Sequence, residues 1–206
     1  MDALASAITA FIGTNLDDIM VLILFFARED SRTRKQHIVI GQYLGFTILV
    51  IASLPGFFGG LVIKRPIIGL LGFLPIIMGI YKLFKEDNEE EEIQLVNENV
   101  NSKINFFGNL INPQVYTVAA VTVANGADNI SIYLSLFASS NWQKLVITLA
   151  VFYVMVGIWC GLGYYLTRYR FVGSVFSRYG QILTPLVLIG LGIYILFDSG
   201  TFGLMQ

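Results

Sequence analysis

Six stretches of this chain are apolar over lengths that match the hydrocarbon core of a bilayer, and they leave little sequence for anything else. They run roughly over 3–27, 38–62, 66–84, 115–138, 145–167 and 182–204. A membrane helix needs about 20 such residues to cross about 30 Å. The apolar character extends around the helices, so periodicity adds little to the reading. Of the 206 residues, 55% are hydrophobic and 13% are charged, against about a quarter charged in a soluble domain. The sequence therefore predicts an all-α integral membrane protein and excludes an ordinary soluble enzyme. Low charge and 14% aromatic content exclude disorder. A formal net charge of −1 gives no reason to expect nucleic acid as a partner. The one cysteine, Cys160, permits neither an internal disulfide nor a cysteine-built zinc cluster. The first stretch does not read as a cleavable signal, because Met1-Asp2-Ala3 lacks a basic region and the apolar run is too long.

One long polar segment interrupts the pattern. It begins Lys85-Glu86-Asp87-Asn88-Glu89-Glu90-Glu91-Glu92 and divides the chain into a first half, 1–84, a loop, 85–114, and a second half, 115–206. The run 89–92 reads as a solvated tether that would attract cations only weakly. The halves resemble each other. Residues 16–27 align without a gap on 127–138, and Gly79-Ile80-Tyr81-Lys82-Leu83-Phe84 matches Gly192-Ile193-Tyr194-Ile195-Leu196-Phe197 in the same order at nearly the same offset. Three helices per copy require the two copies to enter the membrane from opposite sides. The expected architecture is six transmembrane helices as two inverted three-helix repeats, with a binding site at the midplane between them.

Basic residues give the orientation. Arg28, Arg32, Arg34, Lys35, Lys82, Lys85, Lys103, Arg168, Arg170 and Arg178 fall on one side; Lys64, Arg65 and Lys144 fall on the other. The odd-numbered connections, including the acidic loop, are thus expected in the cytoplasm and both termini outside a cell membrane.

Carboxylates near mid-bilayer carry the chemistry. Asp17 and Asp18 lie in the first stretch, and Asp128 with Asn129 occupies the same place in the fourth. A charged carboxylate at that depth costs on the order of 3 kcal/mol. No lysine or arginine is expected to reach them, since all lie at or beyond helix ends. Protons, a cation or a wet cavity must then offset the charge. Thr14, Asp17 and Asp18 share the spacing i, i+3, i+4 with Asn125, Asp128 and Asn129, which on an unbroken helix puts them on one face. Inverted symmetry would bring the two faces together as a nest of oxygens suited to a divalent cation. Asn15 lies about one helical step off that face. Gly13 and Gly126 would let the backbone unwind or approach closely there, as in the broken helices of transporters. The competing reading is a protonated, hydrogen-bonded cluster that staples helices.

Other residues are less telling. Met20 or Cys160 could supply a soft ligand, but each also fits as an apolar side chain. Gln42 and Tyr43 suit either a cytoplasmic path or helix packing. Gly157 and Gly161 read as close helix packing, and His37 as a loop residue without a role.

Thr14-Asn15-Leu16-Asp17-Asp18, followed by Phe25-Phe26-Ala27, resembles the opening motif of the CadD-type cadmium-resistance transporters, within the lysine-exporter superfamily. Ala124-Asn125-Gly126-Ala127-Asp128-Asn129 resembles the family's second motif, Ala-Asn-Gly-Gly-Asp-Asn, from which Ala127 departs conservatively. The resemblance spans essentially the whole chain. It implies a plasma-membrane protein for metal resistance by efflux of cadmium, and in some members zinc. It carries over Asp17, Asp18, Asn125, Asp128 and Asn129 as ion-pathway residues.

Composition and spacing alone point to an oxygen-rich divalent-cation site and leave manganese, zinc and calcium open. No nucleotide-binding run is present, so an ion gradient is expected to drive transport, with protons exchanged at the carboxylates. The metal, Cd²⁺ or Zn²⁺, is the substrate, and no cofactor is expected. The alternatives are export of a small organic solute such as an amino acid, an intramembrane aspartyl hydrolase using Asp17 and Asp128, and a non-transporting scaffold. The sequence leaves the oligomeric state open, a homo-oligomer included. The orientation is checked with single cysteines in a Cys160→Ser background: a cysteine at Asn88 should resist impermeant reagents in intact cells, and external labelling would reverse the assignment.

Overall fold

The computed structural model describes residues 3–27, 35–84, 112–167, 170–199 and 201, with 65–66 and 170–182 described by backbone alone. Every regular element among these residues is helical. The first half gives α1 (Ala3–Asn15), α2 (Asp18–Ala27), α3 (Lys35–Val62) and α4 (Arg65–Ile68). The last runs through the 3₁₀ turns of Gly69–Gly72 into α5 (Phe73–Phe84). The second half gives α6 (Pro113–Asn125), α7 (Asn129–Ala138), α8 (Trp142–Leu166) and α9 (Arg170–Asp198).

Two of these, α3 and α8, are long and apolar enough to cross a membrane alone, and α1 with α2 makes a third if the pair, bent by 59°, counts as one span. Three of the six stretches are interrupted. The first stretch breaks at Leu16 and Asp17, the fourth at Gly126-Ala127-Asp128, and the third changes to 3₁₀ geometry at Gly69–Gly72. A polar side chain at a break can bond the backbone groups that the helix no longer satisfies, which is why the interruptions coincide with polar residues.

Several boundaries differ too. The sixth helix starts at Arg170 instead of residue 182, so Arg170 and Arg178 lie inside it and not in a connection. Lys35 and His37 belong to the first turn of α3. His37 Nδ1 lies 3.0 Å from Gln114 Oε1, so it joins α3 to α6 and is no idle loop residue. The fourth helix starts two residues early: Asn112 caps it by accepting from Gln114 N at 3.0 Å, and Pro113 takes the first helical position, where its missing N–H costs nothing. The acidic run lies outside the described residues.

Each broken helix packs along the long helix of the other half. Helix α3 lies beside α6 and α7, α8 lies beside α1 and α2, and α5 pairs with α9. Small residues set these approaches. A Cβ on Gly41 would meet the Val115 carbonyl oxygen at 2.8 Å, and one on Gly45 the Ala119 carbonyl oxygen at 2.8 Å. Gly56 and Gly60 meet Leu134 and Ala138 in the same order, so α3 runs parallel to the α6–α7 pair. Between α5 and α9 the order reverses: Gly79 abuts the Pro185 carbonyl and Gly72 the Gly192 carbonyl, each at 2.7 Å from the added Cβ. Gly13 is likewise a packing residue, filled by Val187, and does not unwind α1. Of the Gly157/Gly161 pair only Gly157 makes a close approach, to the Tyr43 hydroxyl; Gly161 faces open space.

The interior is aromatic. Phe11, Phe46, Tyr133, Phe137 and Phe152 are fully buried, with Tyr133 and Phe152 centroids 5.0 Å apart and Phe11 edge-on to Trp159 at 5.3 Å. Phe58, Leu61, Val62 and Phe84 are exposed on the outer surface, as lipid contact requires. The glycine seams predict that Gly45→Ala lowers stability by about 1–3 kcal/mol through overpacking, while Gly161→Ala is neutral or stabilising by up to about 1 kcal/mol. Thermal unfolding of the purified protein in detergent checks both.

Candidate functional site

The two helix breaks meet. At the first, α1 ends with the carbonyls of Thr14 and Asn15 lacking intrahelical partners. Side chains from the second half supply them: Asn129 Nδ2 donates to Thr14 O at 2.9 Å, and Trp159 Nε1 donates to Asn15 O at 2.7 Å. In return Asn125 Nδ2, at the end of α6, donates to Asp18 Oδ1 at 2.6 Å. The second break holds its own backbone: Asn129 N donates to Gly126 O at 3.1 Å and Ser131 Oγ to Asp128 O at 2.7 Å.

The breaks also undo the single-face geometry expected for Thr14, Asp17 and Asp18. Adjacent carboxylates now diverge. Asp18 is buried and accepts from Asn125 and, at 3.4 Å, from Gln42 Nε2, whose Oε1 in turn accepts from Thr122 at 2.7 Å. Gln42 therefore has a direct contact with the acidic centre, while Tyr43 turns the other way and donates to the Tyr153 carbonyl. Asp17 points towards Asp128, and between them lies an ammonium group. Lys82 Nζ, from the last turn of α5, is 3.1 Å from Asp17 Oδ2 and 2.9 Å from Asp128 Oδ2. The expectation that no basic residue reaches this depth is thereby corrected. A lysine stem is long and apolar, and its charged end reaches inward from the helix terminus as readily as outward. The side chains of Lys82, Asp17 and Asp128 are 13%, 18% and 22% exposed, so this ion triad keeps some contact with water.

Thr14 and Asn15 form a second, drier group. Tyr133 hydroxyl lies 2.9 Å from Thr14 Oγ1 and accepts from Asn15 Nδ2 at 2.8 Å, while that amide also donates to Phe11 O at 2.9 Å. Because carbonyl oxygens only accept, Phe11 O and Thr14 O fix which end of the Asn15 and Asn129 amides is nitrogen. Their oxygens then have no donor: Asn15 Oδ1, Asn129 Oδ1 and Asp128 Oδ1 are buried without a hydrogen-bond partner. Buried acceptors are rarely left so. Two of them, Asp128 Oδ1 and Asn129 Oδ1, belong to adjacent residues at the second break, and such acceptors are what a cation would use.

Cys160 belongs to the buried apolar cluster and is a free thiol. Among the described residues no three of His, Cys, Asp and Glu are gathered so that they could hold a metal ion. The expected nest of three carboxylates is instead two acids on a lysine, with Asp18 held by amides beside them.

Tyr133 and Lys82 were not foreseen from the sequence. Lys82 left a signal: Gly79-Ile80-Tyr81-Lys82-Leu83-Phe84 and its repeat differ at one position, where the second copy has Ile195, which is completely buried. Tyr133 left none, since its counterpart in the first half is apolar.

The sequence profile of a family described as cadmium resistance transporter matches residues 11–206. No curated protein and no solved structure matches the chain.

Removing one member of a buried ion cluster costs more than removing all of them, because an uncompensated charge remains. Lys82→Met should lower stability by about 3 kcal/mol. The triple variant Lys82→Met/Asp17→Asn/Asp128→Asn should recover most of that loss in detergent unfolding. Equal losses in both would show that the triad is electrostatically idle.

Proposed function

The chain belongs to the cadmium resistance transporter family, a family of transporters and not of enzymes, and from that premise we propose that it is a secondary transporter exporting a divalent cation from the cytoplasm. Cadmium is the first candidate and zinc the second. The coupling is antiport with protons, and the chain sits in the cell membrane with both termini outside. The observation that carries this reading is the convergence of two helix breaks on Asp17 and Asp128, with Asp128 Oδ1 and the amide oxygen of Asn129 left without a partner at the second break. Broken helices at a midplane site are how membrane transporters bind ions without exposing backbone to lipid.

Asp17 and Asp128 contact the ion directly, with Asn15 and Asn129 offering their free amide oxygens. Asp18, Asn125 and Thr14 support the shell: Asn125 and Asp18 tie α6 to α2, and Thr14 ties α1 to α7 through its carbonyl. This donor set is hard to borderline, which suits Zn²⁺ and accepts Cd²⁺ without strong selectivity. One ammonium compensates one of the two carboxylates; a proton on the other, released when metal binds, is the simplest coupling.

The same contacts support the two-repeat architecture. Thr14 corresponds to Asn125 and Asp18 to Asn129 in the alignment, so the bonds Asn129–Thr14 and Asn125–Asp18 are images of each other. The seams Gly79–Pro185 and Gly72–Gly192 exchange in the same way, and Lys82, bonded to both equivalent aspartates, lies where such a dyad would pass. On this reading the six stretches are six spans, two of them broken at the site.

Export of an amino acid gains one supporting observation, because Lys82 gives the centre both charge signs. The experiment separates the two. Purified protein in liposomes is assayed with Cd²⁺, Zn²⁺, Mn²⁺ and Ca²⁺, and in parallel with zwitterionic amino acids, with and without a pH gradient. Flux of Cd²⁺ and Zn²⁺ accelerated by the gradient is expected. Asp17→Asn and Asp128→Asn should each abolish it while the protein stays monodisperse. Amino-acid flux with no metal flux would select the second reading, and undiminished metal flux in both variants would remove the aspartates from the site.

A further inference from the structure

Resting on the metal-export reading, we infer that Lys82 is a tethered stand-in for the transported cation. Its ammonium holds Asp17 and Asp128 while no metal is bound, and it leaves them when metal arrives. The observation behind this is the position of one ammonium within 3.1 Å and 2.9 Å of two carboxylates that belong to different helix breaks. No second base shares either contact among the described ion pairs.

Three features favour exchange over a fixed staple. The first is where the lysine comes from. Lys82 stands on α5, outside both broken helices, at the helix end. Its four-carbon stem can lift the charge from the site without moving any helix, and an ammonium has no directional fork to hold it. The second is the repeat. The corresponding residue is Ile195, fully buried on α9, so the other copy of the repeat carries hydrocarbon at the matching position and the charge is particular to the acidic centre. The third is access. The three side chains are partly exposed, whereas Asp18, which takes only amide donors, is 2% exposed. The lysine thus sits on the wetter pair of acids, which a hydrated ion can reach.

Electrostatics then makes the two states exclusive. A dication and an ammonium cannot both sit within hydrogen-bonding distance of the same two carboxylates without strong repulsion, which at a few Å exceeds thermal energy severalfold at protein-like dielectric constants. With neither cation present, Asp17 and Asp128 would face each other uncompensated in the membrane. A transporter must return its empty site across the bilayer, and Lys82 lets it do so with one of those two charges compensated and only the other left for a proton.

Two kinds of transport separate this from a structural role. Metal–metal exchange needs only the loaded carrier to reorient, whereas net efflux needs the empty carrier to return. The assay uses liposomes loaded with Cd²⁺ and cadmium titrations of the purified protein. For Lys82→Gln, exchange should persist within about threefold of wild type and net efflux should fall at least tenfold. Its cadmium affinity should rise at least tenfold, since the competitor is gone. Lys82→Arg is the second variant: a bidentate guanidinium competes harder for two carboxylates, so apparent cadmium affinity should fall while net efflux survives. The inference is overturned if Lys82→Gln loses exchange and efflux together as a monodisperse protein, or keeps both. If the Gln variant does not stay monodisperse, unchanged or tighter cadmium binding by Lys82→Arg overturns it as well. Failure of the wild-type protein to bind or exchange cadmium defeats the metal reading instead, and so is told apart.

Discussion

Two interruptions of the helical hydrogen-bond ladder, both inside apolar stretches, are the constraint on which the rest of the structure depends. In a bilayer no water is at hand for freed carbonyls, so each break must be completed by protein. Here the end of α1 is completed by the other half, while the second break holds its own backbone. Asn129 and Trp159 supply donors to the end of α1, and Asn125 reaches back to Asp18 at the start of α2. The two halves are therefore obliged to meet at this point. The glycine seams of α3 against α6 and α7, and of α5 against α9, let the backbones come close enough for the short amide side chains to reach. Remove the seams and the same asparagines would face carbonyls they could not touch.

The sequence carried much of this. Aspartate and asparagine at matching places in two apolar runs are too costly to be incidental, and the repeat says that they should converge. That reasoning located Asp17, Asp18, Asn125, Asp128 and Asn129 at the meeting of the halves. It failed where it assumed a continuous helix. A spacing of i, i+3, i+4 implies a common face only if the ladder is intact between the residues. Once the chain turns at Leu16 and Asp17, neighbouring acids diverge, and Asp17 and Asp18 acquire different partners. Glycine before the aspartates left two readings open, unwinding or close approach, and at Gly13 it is the second, since Val187 fills the space.

Lys82 shows a second limit. Counting along a span assigns depth to a Cα atom, whereas a lysine delivers its charge several ångströms away, in a direction set by what it can bind. Depth along the chain and depth of charge are different quantities. The repeat held the correction, since a lysine in one copy opposite a buried isoleucine in the other marks a charge particular to the acidic centre.

The asymmetries between the halves are chemically of one kind. Asp18 faces Asn129 in the alignment, and Lys82 faces Ile195; in both cases the first half bears the charge and the second a neutral residue. A strictly symmetric pair of repeats would place equal charge on both sides of the dyad, and its site would look the same from either face of the membrane. Concentrating the extra acid and the lysine in one half gives the ion a different environment depending on which half has moved. The residue pairs that bond across the breaks, Asn129–Thr14 and Asn125–Asp18, are images of each other, so the frame can remain near two-fold while the charges do not. On the export reading proposed above, that combination is a scaffold able to rock between two similar shapes, carrying a site whose affinity need not be the same in both.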